Sequence, residues 1–124
     1  MRKVIIGLET RQTLFDKVNA IAKRADAGEA LPEADYYLNF GSVQQLFGEL
    51  TPDRMQILQT LLNYGKLNVE DLAQRMRKEV YAVEKDLEAL ARLDLIAQDA
   101  GLVFVPWGAV EMRFNISPNQ AKAA

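Results

Sequence analysis

The spacing of apolar residues changes once in the C-terminal part of this chain, and the change limits what the chain can fold into. From residue 51 to residue 93, apolar residues recur every three or four positions, the period of an amphipathic helix. Beyond residue 95 they form short runs around an Asp-Ala-Gly turn at 99–101, and over 110–116 they alternate with polar residues. The pattern predicts helices followed by a β-hairpin and one further strand.

Residues typical of helix ends divide the helical region into three helices. Thr51 can cap the first helix, Pro52 suits its first position, and Gly65 can end it. Asn68 can cap a second helix, and a third helix follows after a tight turn near 77–78. The side of the first helix that we expect to be buried carries Met55, Leu58, Leu61 and Leu62.

The residues before this region predict strands and helices in alternation. A β-branched run at 2–8 predicts a strand, and the apolar spacing over 10–26 predicts a helix. Residues 36–40 predict a second short strand. Ser42 and Gln45 have the spacing of a capping box, which predicts a short helix after that strand.

The order of these elements predicts an α+β fold. Two helices joined by a few residues, with a hairpin behind them, are the arrangement of a winged helix-turn-helix. We therefore divide the chain into an N-terminal β-α-β extension at 1–41, a winged helix-turn-helix domain at 42–116 and a disordered tail at 117–124.

The composition argues against several classes of protein. The chain has no cysteine and no histidine, so disulfides, thiolate zinc sites, and histidine bases or ligands are excluded. Ser42 and Ser117 therefore have no triad partner, and we expect no enzyme activity and no cofactor or metal. There is no apolar run of about 18 residues and no signal-peptide pattern, so we expect a cytoplasmic protein without a membrane partner. The net charge of −2 means that any nucleic-acid binding requires a local basic patch.

The third helix, around "RMRKEVYAVEKDLEALARLDLI", offers such a patch. At about 100° per residue, its apolar residues cluster on one side. The opposite side carries Lys78, Lys85 and Arg92, with Tyr81, Ala82 and Ala89 between them. The acidic residues expected on the flanks are Glu79, Glu84, Asp86 and Glu88. This side is either a surface that enters the major groove of DNA or an ordinary solvated face with i, i+4 ion pairs.

The DNA interpretation gives each of these side chains a role. Lys78 and Lys85 can reach phosphates or guanine acceptors, and Tyr81 can contact a phosphate or a thymine methyl group. Small side chains such as Ala82 allow the helix backbone to approach the bases. The residues assigned to DNA binding are Arg75, Arg77, Lys78, Tyr81, Ala82, Lys85 and Arg92.

Three stretches of the chain resemble one family of regulators. The stretches are "LTPDRMQILQTLLNYGKLNVEDLAQRM", "VEKDLEALARLDLI" and "GLVFVP". They resemble the winged helix-turn-helix of predicted bacterial and archaeal transcriptional regulators, a group distantly similar to MarR-type regulators. The N-terminal segment resembles the leader of that group, so the resemblance covers nearly the whole chain. The chain departs from those relatives at Tyr81-Ala82 and Glu84, where they commonly carry a Lys-Asn pair and a His.

Two functions remain open at this point. The first is a homodimeric regulator that binds double-stranded DNA at a near-palindromic site, with recognition helices about 34 Å apart. The second is a protein-binding module, since the resemblance implies that some relatives are antitoxins silencing a small toxin encoded beside them. The apolar run "VII" at 4–6 is a potential edge strand: it either pairs within the domain or binds a second chain by strand addition. Trp107 either anchors an interface or packs in the core or against the wing. The residues assigned to a dimer or partner interface are Val4, Ile5, Ile6, Phe15 and Trp107.

Overall fold

A computed structural model of the chain describes residues 2–8 and 35–114, and within these ranges the fold is α+β, as expected. Four helices lie between two strands at the beginning and three at the end of the described chain. The elements are β1 (Val4–Leu8), β2 (Tyr36–Phe40), α1 (Val43–Glu49), α2 (Pro52–Tyr64), α3 (Val69–Met76), α4 (Val80–Arg92), β3 (Ala97–Asp99), β4 (Leu102–Phe104) and β5 (Val110–Arg113). The helix predicted at 10–26 and the tail predicted at 117–124 lie outside the described residues.

The helix ends have local polar partners at the positions that the sequence predicts. Before α1, the Ser42 hydroxyl accepts the Gln45 amide at 3.1 Å, and the Gln45 side chain accepts the Gly41 amide at 3.2 Å. Thr51 caps α2 by accepting the Arg54 amide at 3.3 Å. Asn68 caps α3 in the same way. These bonds satisfy amides that have no partner inside their helices, which fixes where each helix begins.

The three longer strands form a parallel sheet with the order β2-β1-β5. Of the two interpretations of "VII", the edge strand is wrong and pairing within the chain is confirmed, because β1 is the central strand and has a neighbour on both sides. Val4, Ile5 and Ile6 are only 0%, 4% and 1% exposed. Their apolar character therefore reflects burial inside the chain, as expected for a central strand of a parallel sheet. They offer no open edge and no accessible surface to a partner.

The hairpin β3–β4 is joined to the helices through the loop between α2 and α3. Leu67 in that loop exchanges backbone hydrogen bonds with Val103 of β4, at 3.1 and 2.8 Å. At the tip, Ala100 and Gly101 both have positive φ, 53° and 80°. That is the requirement of a type I′ turn, the turn that suits the twist of a two-residue hairpin.

The core lies where the sheet meets the helices, and the helices contribute their apolar sides to it. Leu58 and Leu61 of α2 are buried, as predicted, and Ile57 is fully buried beside them. Met55 and Leu62 were expected in the core, but they are 37% and 36% exposed. The helical period predicts which side of α2 faces the core. How many residues on that side are buried depends on the packing of α3, α4 and the sheet.

The sheet also includes strands from both parts of our proposed division at residue 41, since β1 pairs with β5. That division remains a prediction. Among the described residues, no helix combines the length and the apolar character needed to cross a bilayer.

Candidate nucleic-acid interface

The turn between α3 and α4 is short because Arg77 takes a left-handed conformation. Its φ of 56° and ψ of 46° end α3, and the amide of Lys78 bonds back to the Ala73 carbonyl at 3.0 Å. A left-handed residue that is not glycine costs about 1 kcal/mol. The chain then begins α4 at Val80, so only residues 77–79 separate the two helices. The Arg77 side chain is exposed at this turn.

The first turns of α4 place three of the predicted DNA-binding side chains on the protein surface. Tyr81 is 68% exposed, and Ala82 and Lys85 are exposed beside it. The Lys85 ammonium lies 5.2 Å from the centre of the Tyr81 ring, within the range of a cation–π contact. The other side of α4 packs into the core through Val83, Leu87 and Leu90. Core packing therefore fixes which part of α4 faces solvent.

Two of the basic side chains predicted to bind DNA already have acidic partners within the chain. Lys78 forms an ion pair with Asp53 in the first turn of α2, and only 29% of its side chain is exposed. The Arg75 guanidinium lies 3.4 Å from the Asp71 carboxylate and 4.1 Å from the centre of the Tyr64 ring. These contacts reduce the charge that either side chain can offer to a phosphate.

By contrast, Arg77 and Lys85 form no ion pair with any residue in the ranges 2–8 and 35–114. Arg92 lies further along α4, about 10 Å from Lys85 along the helix axis. Its Nε donates to the Glu88 carbonyl at 3.5 Å. Arg77 and Lys85 are thus the most available positive charges near the turn and the beginning of α4.

The acidic residues of α4 are distributed differently from the prediction. Glu84 and Glu88 are exposed on the same side as Lys85, and all three line a depression of about 600 Å³ between α4 and β3. Ala89, expected on the outer side, is only 6% exposed, and it is one of the residues that line a second depression. The open side of α4 is therefore mixed in charge rather than uniformly basic.

The hairpin adds little positive charge. Residues 97–104 contain no lysine or arginine, and the acidic residue near the tip, Asp99, pairs with Lys66 at 2.9 Å. Lys66 also lies 5.0 Å from the centre of the Phe104 ring. The charges of Lys66 and Asp99 therefore neutralise each other, and the hairpin and the loop that carries Lys66 offer little net positive charge to DNA.

Of the residues predicted to form a partner interface, Trp107 has an internal role and Phe15 lies outside the described residues. Trp107 stacks on Tyr36 with ring centres 5.2 Å apart, and its Nε1 donates to the Asp94 carbonyl at 3.0 Å. Tyr36 in turn donates to the Leu93 carbonyl at 3.4 Å. Burial raises the pKa of Tyr36, and the negative charge of Asp94 raises it further. These contacts tie the end of α4 to the sheet.

The sequence did not indicate the importance of Arg54. Its Nε donates to the Asp86 carboxylate of α4 at 3.0 Å, and another nitrogen donates to the Glu49 carbonyl at 2.7 Å. Arg54 thereby connects the end of α1, the beginning of α2 and the middle of α4. No local pattern around residue 54 reveals partners 5 and 32 residues away.

Within the described ranges, no group of three or more Asp or Glu side chains is placed to hold a metal ion. Residues 49–112 match the model of the protein family described as HVO_A0114. The match begins at the end of α1 and continues into β5, so it includes the turn, α4 and the hairpin. No curated protein matches the chain.

Proposed function

The chain belongs to the HVO_A0114 family, and we propose that it is a winged helix-turn-helix regulator that binds double-stranded DNA as a homodimer. The observation that carries the proposal is the three-residue turn at 77–79. It holds Arg77, which has no ion-pair partner among the described residues, beside the exposed first turns of α4, directly after a helix and ahead of a hairpin. This order of elements supports α4 as the helix that enters the major groove and β3–β4 as the wing.

Within this proposal, the side chains near the turn have distinct roles. Arg77 and Lys85 neutralise phosphates, because neither has an acidic partner in the described part of the chain. Tyr81 contacts a phosphate or a thymine methyl group, and Ala82 allows the backbone to come close to the bases. Lys78 has a mainly structural role through Asp53. Glu84 and Glu88 oppose loose binding, since a carboxylate near a phosphate is repelled.

The proposal is tested by fluorescence anisotropy with the DNA upstream of the chain's own gene and with scrambled DNA. Tighter binding to the upstream DNA, weakened by salt, is the expected result. Each lysine or arginine side chain that contacts a phosphate steepens the fall of log affinity with log salt concentration by about 0.9. For each subunit on the DNA, the double variant Arg77→Ala with Lys85→Ala should therefore reduce the slope by about 1.8.

Lys66→Ala is the matched control, because it also removes a lysine charge but from a side chain paired with Asp99. It should leave the slope unchanged. Equal binding of both DNAs by the wild-type chain, or an unchanged slope in the double variant, would reject the proposal.

A second function is favoured by the two glutamates on the open side of α4. Glu84 and Glu88 line the depression beside Lys85, and Leu87 and Ile96 line it too, which suits a protein partner with a basic and apolar segment. The chain is then a protein-binding module, such as an antitoxin whose toxin is encoded beside it. Co-purification with the product of the neighbouring reading frame, together with no DNA binding, would favour this function over the first.

A further inference from the structure

Strand β5 has one side that no other strand covers in the described part of the chain. The sheet order β2-β1-β5 places it at an edge. The amide of Val4 bonds to the Ala109 carbonyl, so Ala109 directs its backbone groups toward β1. In a strand, backbone direction alternates, so Glu111 and Arg113 also point toward β1. Val110 and Met112 therefore direct their amides and carbonyls toward the open side.

We propose that β5 pairs with β5 of a second copy of the chain in antiparallel orientation, with Met112 at the two-fold axis. The two three-stranded sheets would then join into one six-stranded sheet. The proposal rests on the proposed function only for the existence of a homodimer. It assigns that dimer to β5 rather than to the buried residues of β1.

The charges of β5 select this register. Pairing centred on Met112 places Glu111 opposite Arg113 of the partner subunit, twice by symmetry. It also places Val110 opposite Phe114 of the partner subunit. A two-fold pair centred on residue 111 would place two glutamates opposite each other, and one centred on residue 113 would place two arginines. Directly opposite like charges destabilise antiparallel strands and opposite charges stabilise them.

The backbone geometry is consistent with the same register. In an antiparallel pair, residues whose backbone groups point at the partner form hydrogen-bonded pairs, and Met112 at the axis meets this requirement. Glu111 and Arg113 then form the closer non-hydrogen-bonded pairs, where side chains interact most strongly. Strand β2, "YYLNF", contains no charged residue, so charge selects no register there.

Ion pairs within one chain already hold the Glu111 carboxylate beside positive charges, as its pairing with Arg113 of the partner subunit requires. Its carboxylate lies 3.2 Å from the Lys3 ammonium and 3.0 Å from the Arg113 guanidinium. The hydrogen bond from Lys3 is the largest cause that lowers the pKa of Glu111. Arg113 is 58% exposed and can reach across the edge, so the dimer would extend a row of alternating charges from Lys3.

The apolar residues beside β5 give the second copy a surface to cover. Met55 and Leu62 of α2 line a groove of about 130 Å³ together with Val110 and Met112. Phe47, 49% exposed, lies edge-on to Phe114 with ring centres 6.1 Å apart. A partner strand at this edge would place its own Val110, Met112 and Phe114 in the same apolar layer. This accounts for the exposure of Met55 and Leu62.

The test is sedimentation equilibrium of the full chain with exchanged charges. The wild-type chain should be a dimer, whereas Glu111→Arg and Arg113→Glu should each raise the dimer dissociation constant about tenfold, because two attractive pairs become repulsive. A mixture of the two variants should form a heterodimer, and the double exchange in one chain should restore the homodimer. Glu70→Arg, on the exposed surface of α3, is the control for the same change of charge and should remain dimeric.

Hydrogen exchange of the wild-type chain tests the register without any substitution, in case a single exchange prevents folding. The amide of Met112 should gain protection as the protein concentration rises. A monomeric wild-type chain, a dimer whose Met112 amide shows no such gain, or folded single variants that remain dimeric would overturn the inference. DNA binding is scored separately: a β5 dimer without DNA binding rejects only the proposed function, and a monomer that binds the upstream DNA rejects only this inference.

Discussion

The contact between Arg54 and Asp86 should hold α4 against α2, and a double-mutant cycle can measure its strength. Arg54→Met keeps most of the apolar stem and removes the charge, whereas Asp86→Asn keeps the shape of the side chain. Both side chains are 21% exposed, so the ion pair is neither a surface pair nor a fully buried one.

The magnitude follows from that intermediate burial. Exposed pairs contribute about 0.2–1 kcal/mol, and removing one member of a buried pair costs about 3–5 kcal/mol. We expect a coupling energy of about 1–2 kcal/mol between the two positions. Arg54→Met also removes the 2.7 Å bond to the Glu49 carbonyl, which adds about 1 kcal/mol. The total loss should therefore be about 2–3 kcal/mol for Arg54→Met and about 1–2 kcal/mol for Asp86→Asn, which loses the coupling energy alone.

Urea unfolding of the wild type, the two single variants and the double variant, followed by circular dichroism, gives the four free energies of the cycle. A coupling energy below about 0.3 kcal/mol would refute the reasoning, because independent sites are additive within that margin. The two side chains would then be neighbours without energetic coupling, and the position of α4 would depend on core packing alone.

Two further substitutions test the backbone at the sheet and at the hairpin. A Cβ at Gly7 would lie 2.6 Å from the carbonyl oxygen of Arg113, so Gly7→Ala should push β1 and β5 apart and lower the unfolding free energy by about 1–3 kcal/mol. Gly48→Ala is its control, because a Cβ there meets nothing within 4 Å; an equal loss in both variants in urea unfolding would contradict the steric argument. Ala100 has a φ of 53°, which Asn tolerates better, so Ala100→Asn should raise the unfolding free energy by about 0.5–1 kcal/mol. A thermal midpoint that is unchanged or lower would show that the turn carries no such strain.

Features encoded by neighbouring residues were predictable from the sequence. The caps at Ser42, Thr51 and Asn68 bond to amides three residues away, so the sequence positions alone contain the relevant geometry. The hairpin turn at 99–101 is local in the same sense. The α+β class follows from these elements, because each has a clear period and clear ends.

Features that depend on distant residues were not predictable in the same way. The parallel pairing of β1 with β5 joins residues at opposite ends of the described chain, as in Val4 with Val110. The apolar character of β1 did not distinguish a central strand from an edge strand, since both can be rich in Val and Ile. Likewise, the spacing within α2 did not reveal that Met55 and Leu62 are exposed.

In the candidate site, too, features set by local spacing were predictable and features set by distant residues were not. The helical period correctly placed Tyr81, Ala82 and Lys85 on the surface of α4. It did not reveal that Lys78 pairs with Asp53, because that carboxylate belongs to another helix. It also placed Ala89 outside, because it carries no information on β2 and α1, whose residues line a depression together with Ala89.

The number of basic side chains that are available for phosphates connects the proposed DNA binding with the proposed β5 dimer. Lys78 and Arg75 pair with acidic residues, so one subunit retains two basic residues near the turn, Arg77 and Lys85, that form no ion pair within 2–8 and 35–114. Two phosphate contacts correspond to a salt slope of only about 1.8, which is small for specific DNA binding. Two subunits on one site would give about 3.6, and linking the second contact to the first adds effective concentration. Within the proposed function, the few unpaired basic residues of the described ranges favour a dimer on the DNA, and the edge of β5 is the surface whose charges and backbone direction suit that dimer.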